Sequence, residues 1–255
     1  MVNIMKGGLL SLAFMLSFNA ALAQDDDAVV YAYTTYFKCN SADLGLADEI
    51  AKYVYAPVYD AAVEAGDLTA WGWIAHHTGG EWRRGLYYVA PSMNGLLDAS
   101  DSIGEKLDES NPEAERVFSE ACPSHEDYIW NSIPGSGGST LGGDRGTAGL
   151  SVYFKCDSSK EERADEIVAK TFGPIYQKQV DDGNLVSWGW LQHNIGGDYR
   201  RLLTVTATDF KTLLAARDEI YEQSTTGRNE RVSVEFDSIC GPHRDYLWDI
   251  QIETQ

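Results

Sequence analysis

The chain has 255 residues, 44% of them hydrophobic, and a formal net charge of −19. That length accommodates one large domain or two of about 100 to 150 residues each, with enough apolar content for a packed core. So acidic a surface repels phosphate backbones and argues against a nucleic-acid partner, while serving solubility well.

In chain order, the first segment carries one cation at Lys6, an apolar run from Leu9 to Phe18, and small residues Ala21 and Ala23 flanking Leu22. This is the pattern of a cleaved signal peptide over residues 1–23. A spanning helix needs about 20 apolar residues, which neither this run nor any later one supplies. The expectation is a periplasmic or secreted protein with no stable membrane insertion. The acids Asp25 to Asp27 read as a solvated leader.

"VVYAYTTYFKC" is rich in β-branched and aromatic residues and predicts a strand ending near Cys39. Ala47 to Ala65 has apolar residues at helical spacing (Ile50, Val54, Val58, Ala62), with Gly66 as a natural terminator and Pro57 predicting a kink or break. "LTAWGWIAHH" and "WRRGLYYVA" are strand-like and separated by "TGGE", whose paired glycines suit a tight hairpin. A second helical region from about Ser92 to Cys122 is interrupted at "SNPEAE", where Ser110 or Asn111 can cap and Pro112 fits a first turn. "HEDYIW" follows as a short strand.

The whole series then recurs. Shifted by 117 residues, Tyr36–Arg84 matches Tyr153–Arg201 at 22 of 49 positions without a gap. "CPSHEDYIW" at Cys122 returns as "CGPHRDYLW" at Cys240, at an offset of 118. The Gly- and Ser-rich stretch at 131–147 reads as a flexible linker. The expected organisation is a first repeat over 28–130 and a second over 148–252.

Each repeat is strand, helix, strand, strand, helix, strand, the split βαβ or ferredoxin-like order of an α+β domain, with helices on one sheet face. The other face must also be covered, which packing two such sheets together achieves. This order, the roughly 100-residue unit and the fused pair resemble the dimeric α+β-barrel superfamily, which includes antibiotic-biosynthesis-monooxygenase-like and stress-responsive barrel domains. The resemblance implies an intramolecular pseudo-dimer, monomeric as a chain, with a barrel and a pocket. It rests on architecture and carries over no catalytic residue.

Four cysteines follow the leader: Cys39, Cys122, Cys156 and Cys240. In an oxidising compartment an even set suggests disulfides, with three possible connectivities. In the ferredoxin-like order the end of the first strand and the end of the second helix are neighbours, so Cys39 should join Cys122 and Cys156 should join Cys240. No CxxC spacing suggests a metal site.

The hairpin places His76 and His193, and the last strand His125 and His243, toward one end. They lack the local pairing of a metal motif, and histidines bonded to backbone or carboxylate explain them as well. Arg83–Arg84 and Arg200–Arg201 alternate along a strand, so one of each pair can meet a buried acid, Asp127 or Asp245, or a ligand carboxylate. If Cys39 turns toward the helices, Tyr36 and Lys38 turn into the barrel. Placing Gly72 under a helix puts Trp71 and Trp73 inside as well.

The candidate ligand-binding residues are thus Tyr36, Lys38, Trp73, His76, Arg83, Tyr153, Lys155, Trp190, His193 and Arg200. They describe an aromatic cavity with a few charges, or a filled core. The favoured reading is an exported protein that binds a small aromatic or anionic molecule, or serves as a structural envelope protein. The alternatives are an oxygenase-like or haem- or metal-dependent enzyme, with His76, His193, Tyr36 and Tyr153 as first candidates, and a protein-protein interaction module. No cofactor is specified, and no nucleophile elbow, phosphate loop or dinucleotide fingerprint occurs.

Overall fold

The computed structural model describes residues 29–139 and 146–254. The signal-like segment and its cleavage point lie outside these residues. Both copies have the expected order. The first runs β1 (Tyr31–Lys38), α1 (Leu44–Ile50), α2 (Ala56–Ala65), β2 (Ala70–Thr78), β3 (Arg84–Ala90), α3 (Met93–Ser110), α4 (Pro112–Ala121) and β4 (Ser124–Ser139). The second runs β5 (Ala148–Phe154), α5 (Glu161–Ile167), α6 (Gly173–Asp181), β6 (Ser187–Gly196), β7 (Arg201–Ala207), α7 (Phe210–Thr225), α8 (Glu230–Cys240) and β8 (His243–Thr254).

Neither Pro57 nor Pro174 breaks its helix. Wide π turns at Ala51–Tyr55 and Val168–Phe172 precede them and join α1 to α2 and α5 to α6. A proline has no N–H to give the carbonyl four residues back, and a widened turn absorbs that lost bond without ending the helix. Gly66 closes α2 at φ 80°, as its left-handed position requires. Ser92 caps α3 by accepting from the Gly95 N–H at 3.0 Å, and Asp209 caps α7 in the same role.

Within each copy the strands order as β4-β1-β3-β2 and β8-β5-β7-β6, and the pairs β2–β8 and β6–β4 close an antiparallel barrel. The two sheets therefore meet by hydrogen-bonded edges as well as by their inner faces. Residues 131–139, in the Gly- and Ser-rich stretch, belong to β4. After a shift in register beyond Ser132, Gly137–Ser139 pair with Gly189–Ser187. A Cβ on Gly137 would sit 3.3 Å from the Trp188 carbonyl, so glycine lets the strand run close to β6 instead of leaving the surface as a loop.

Three apolar cores result. One lies between each helical layer and its sheet, and the third fills the barrel. Cys39–Cys122 and Cys156–Cys240 are bonded, with S–S distances of 2.04 and 2.06 Å, each tying the end of a first strand to a second helical layer. No helix among the described residues is long and apolar enough to cross a membrane.

Candidate functional site

The barrel interior is lined by rings from six places in the chain. Tyr36 and Tyr153 enter from β1 and β5, as the alternation from Cys39 and Cys156 requires. Tyr128 and Trp130 enter from β4, and Tyr246 and Trp248 from β8, each pair two residues apart on one strand face. Trp82 and Tyr199 come from the hairpins and are buried. Trp82 stacks on Tyr36 at 4.2 Å and on Tyr246 at 4.9 Å, closing one end of the ring cluster. Tyr199 lies 5.5 Å from Tyr153 and 6.1 Å from Trp82.

The paired glycines make these plugs possible. A Cβ on Gly80 would lie 2.2 Å from the Tyr246 hydroxyl, and one on Gly197 would lie 1.9 Å from the Tyr128 hydroxyl. Only a backbone without side chains passes over those phenols. Burial pushes the Tyr36 and Tyr153 phenols well above their ordinary range, and Tyr128 up to about 12, so the interior stays uncharged. Among the described residues the indole N–H groups of Trp82 and Trp248 meet no acceptor. Buried donors without partners are uncommon in folded proteins.

Trp73 and Trp190, expected inside, face the helices. The Trp73 indole donates to Asp48 of α1 and the Trp190 indole to Asp165 of α5, both at 2.8 Å. Trp71 likewise donates to Asp60 of α2 at 2.8 Å. Gly72 faces the barrel, and the room left by its missing side chain is taken by the Tyr87 ring, 2.5 Å from where a Cβ would be. The close approach that glycine permits is to a neighbouring strand's ring, and not to a helix.

The double arginines divide as alternation demands, although their acids are not Asp127 and Asp245. Arg84 makes a two-bonded pair with Asp48 at 2.5 and 2.7 Å, and Arg201 pairs with Asp165 at 2.7 Å through both contacts. The same two aspartates thus hold a tryptophan and a buried arginine each. They are the Asp of the repeated "ADEI". Asp127 instead lies 3.2 Å from His125, and Asp245 lies 3.6 Å from Arg217 and 3.5 Å from His243.

Arg83 and Arg200 turn to the hairpin histidines. Arg83 donates to His76 Nε2 at 3.1 Å and to the Gly80 carbonyl at 3.2 Å. Arg200 donates to His193 Nδ1 at 2.8 Å, while His193 Nε2 donates to the Gly196 carbonyl at 2.6 Å. Burial first, and the Arg83 charge second, hold His76 below its ordinary pKa, against a bond from its ring to the Gly79 carbonyl. Each imidazole therefore lies edge-on to rings of the other copy's last strand, His76 to Tyr246 and Trp248, His193 to Tyr128 and Trp130.

With these bonds to arginine and backbone, the hairpin histidines do not present a free ring nitrogen to a metal or haem. His125 and His243 lie elsewhere, against Phe37 and Phe154 on the helical side. No group of three His, Cys, Asp or Glu among the described residues could hold a metal ion.

Lys38 and Lys155 sit at the rim. Lys38 bridges Glu81 and Glu126 at 2.9 and 2.7 Å, and Lys155 meets Asp198 at 2.8 Å. A separate hollow of about 410 Å³ on the second copy, lined in part by Lys170, Thr171, Lys178 and Arg228, shares no residue with the ring cluster.

Trp82, Tyr199, Tyr128, Trp130, Tyr246 and Trp248 escaped the sequence reading. Their signal was the two-residue spacing in "DYIW" and "DYLW", and the matched aromatic before each double arginine.

No protein-family model matches the chain, and no curated protein sequence matches it. Solved structures do. An anthrone oxidase-like protein aligns at 12% identity and TM-score 0.56, over 89% of this chain and 93% of its own. A provisionally assigned monooxygenase from Lactobacillus acidophilus NCFM aligns at 7% identity and TM-score 0.58, over 89% and 96%. A mutant chlorite dismutase from Candidatus Nitrospira defluvii, with cyanide bound, aligns at 8% identity and TM-score 0.51, over 88% and 91%. At such identities the likeness concerns the fold. Two ferredoxin-like copies sharing one closed barrel, and aligning with these structures over nearly their whole length, give this chain a dimeric α+β-barrel fold.

Proposed function

We propose that this is an exported protein that binds a small planar aromatic molecule inside the barrel. The observation that carries the reading is the interior itself: a buried cluster of rings in which the Trp82 and Trp248 indole N–H groups meet no acceptor among the described residues. A carbonyl or phenol oxygen on a flat ligand would satisfy such donors while its body replaced ring-to-ring contacts. Entry is by the hairpins, whose Trp82 and Tyr199 are the ring residues not carried on strands. The two disulfides support an oxidising compartment.

The test is a titration of the mature protein with 1-naphthol and anthrone, read by quenching of tryptophan fluorescence, beside native mass spectrometry of the protein as isolated. Saturable quenching that weakens in Trp248→Phe supports the reading. An unadorned native mass together with no saturable response to either compound refutes it.

An oxygenase reading is favoured by the fold shared with an anthrone oxidase-like protein and a provisionally assigned monooxygenase. It predicts oxygen uptake when anthrone is added to the protein. No residue of the ring cluster is assigned a catalytic step.

A further inference from the structure

The duplication supplies an internal control, because the same arginines stand at equivalent backbone positions in the two copies while the side chains around them differ. Arg83 and Arg200 are equivalent, and their backbones make the same bonds. Arg83 N donates to the Phe37 carbonyl at 2.7 Å and Arg200 N to the Phe154 carbonyl at 2.8 Å. His76 N and His193 N donate to the Arg83 and Arg200 carbonyls at 3.0 and 3.1 Å. Both guanidinium groups give one Nη1 to a hairpin histidine.

Their remaining donors differ. In the second copy, Arg200 Nε donates to Glu161 Oε1 at 2.7 Å, and Arg201 Nη1 to Glu161 Oε2 at 3.0 Å. The Glu161 carboxylate is 14% exposed, and the neighbouring arginines hold its pKa below the ordinary carboxylate value despite that burial. One carboxylate thus bridges two consecutive arginines.

In the first copy the position of Glu161 is Leu44, which brings no charge. Among the described residues no carboxylate lies within ion-pair distance of Arg83, whose bonds go only to His76 and the Gly80 carbonyl. Glu81, two residues before Arg83, pairs with Lys38, and Asp43, beside Leu44, accepts from the Asn40 side-chain amide. Arg84 keeps Asp48, as Arg201 keeps Asp165.

We propose that Arg83 and Arg84 form a carboxylate-binding subsite beside Leu44, in which an external carboxylate takes the place that Glu161 occupies in the second copy. The chemical class is fixed by the internal occupant: a planar, two-oxygen anion bridging Arg83 Nε and Arg84 Nη1, which suits a carboxylic acid. Leu44 brings no carboxylate to this position, so an anion bridging the two arginines has to come from outside the chain. This site goes beyond aromatic binding in the barrel and does not depend on it.

The experiment uses acetate, too small to report on the ring cluster, added at constant ionic strength against chloride. Arginine Nε–Hε resonances of the full mature chain are followed by NMR, with Arg83→Lys identifying the Arg83 signal. The expected result is a saturable shift of Arg83 and none of Arg200. Glu161→Leu should open the second copy, so that Arg200 also responds and the stoichiometry doubles. Leu44→Glu should close the first, weakening acetate binding at Arg83 by about tenfold or more, the range of a lost charge-assisted bond.

An Arg83 signal that does not saturate in the natural chain overturns the proposal. So does an Arg200 that stays silent in Glu161→Leu, a variant that retains Asp165 to hold Arg201 and so keeps the outcome readable even if Leu44→Glu fails to fold. Fluorescence titration with 1-naphthol on the same samples reports separately on the barrel.

Discussion

Removing Asp48 tests the arrangement of the helical layer most directly. Its carboxylate accepts from the Trp73 indole and pairs with Arg84, whose side chain is 8% exposed. In Asp48→Ala the guanidinium remains buried with the Arg83 carbonyl as its one retained partner. Breaking a buried pair in this way costs about 3 to 5 kcal/mol. At roughly 2 to 4 °C per kcal/mol for a chain of this size, the thermal midpoint should fall by about 6 to 20 °C. Asp165→Ala is the control, because Glu161 Oε2 still meets Arg201 Nη1 at 3.0 Å. Its cost should be nearer that of lost charged hydrogen bonds, about 1.5 to 3 kcal/mol. Thermal and urea unfolding with the disulfides intact, read by near-ultraviolet circular dichroism, give both values. Equal losses in the two variants, or a loss under about 1 kcal/mol for Asp48→Ala, would refute the reasoning.

Protonation of His76 gives a second test. Its folded pKa lies below the ordinary value, so the native state resists a proton that the unfolded chain accepts, and stability falls as pH drops below the ordinary imidazole range. His76→Gln should flatten that part of a midpoint-against-pH curve, and an unchanged slope would count against it. Opening either disulfide, by Cys39→Ala with Cys122→Ala or Cys156→Ala with Cys240→Ala, releases a loop of 83 or 84 residues. The loss should be about 4 kcal/mol and nearly the same for both, measured by urea unfolding. Gly80→Ala puts a methyl against the Tyr246 hydroxyl and should lift the Trp82 hairpin, seen as a red shift and stronger acrylamide quenching of tryptophan emission. Unaltered emission would mean that the plug is held by other contacts.

The order of elements, the duplication and the cysteine pairing were legible because each rests on local pattern or on topology that the pattern implies. Tyr36 and Tyr153 were placed correctly, since strand alternation counted from a cysteine leaves one choice. Trp73 was misplaced because glycine marks a close approach without saying by what. At Gly72 the visitor is Tyr87 from the adjoining strand. The acids that receive Arg84 and Arg201 were visible as repeated residues of "ADEI", yet nothing local links them to a strand 36 positions away. Residues 131–139 have the composition of a linker, and beyond Ser132 their pairing with the other copy makes them strand.

The closing of the barrel also orders events in time. β2 is bonded on one side by β3, but its other side waits for β8, where Trp71 pairs with Thr254 near the very end of the described chain. β4 waits likewise for β6. A chain emerging from its N-terminus therefore carries the β4 edge open until β6 is made and the β2 edge open until β8 is made, and open edges are templates for pairing with other molecules. Among the described residues the closed barrel leaves none of its eight strands with an unpaired edge, so the exposure of β2 ends only when the last strand arrives.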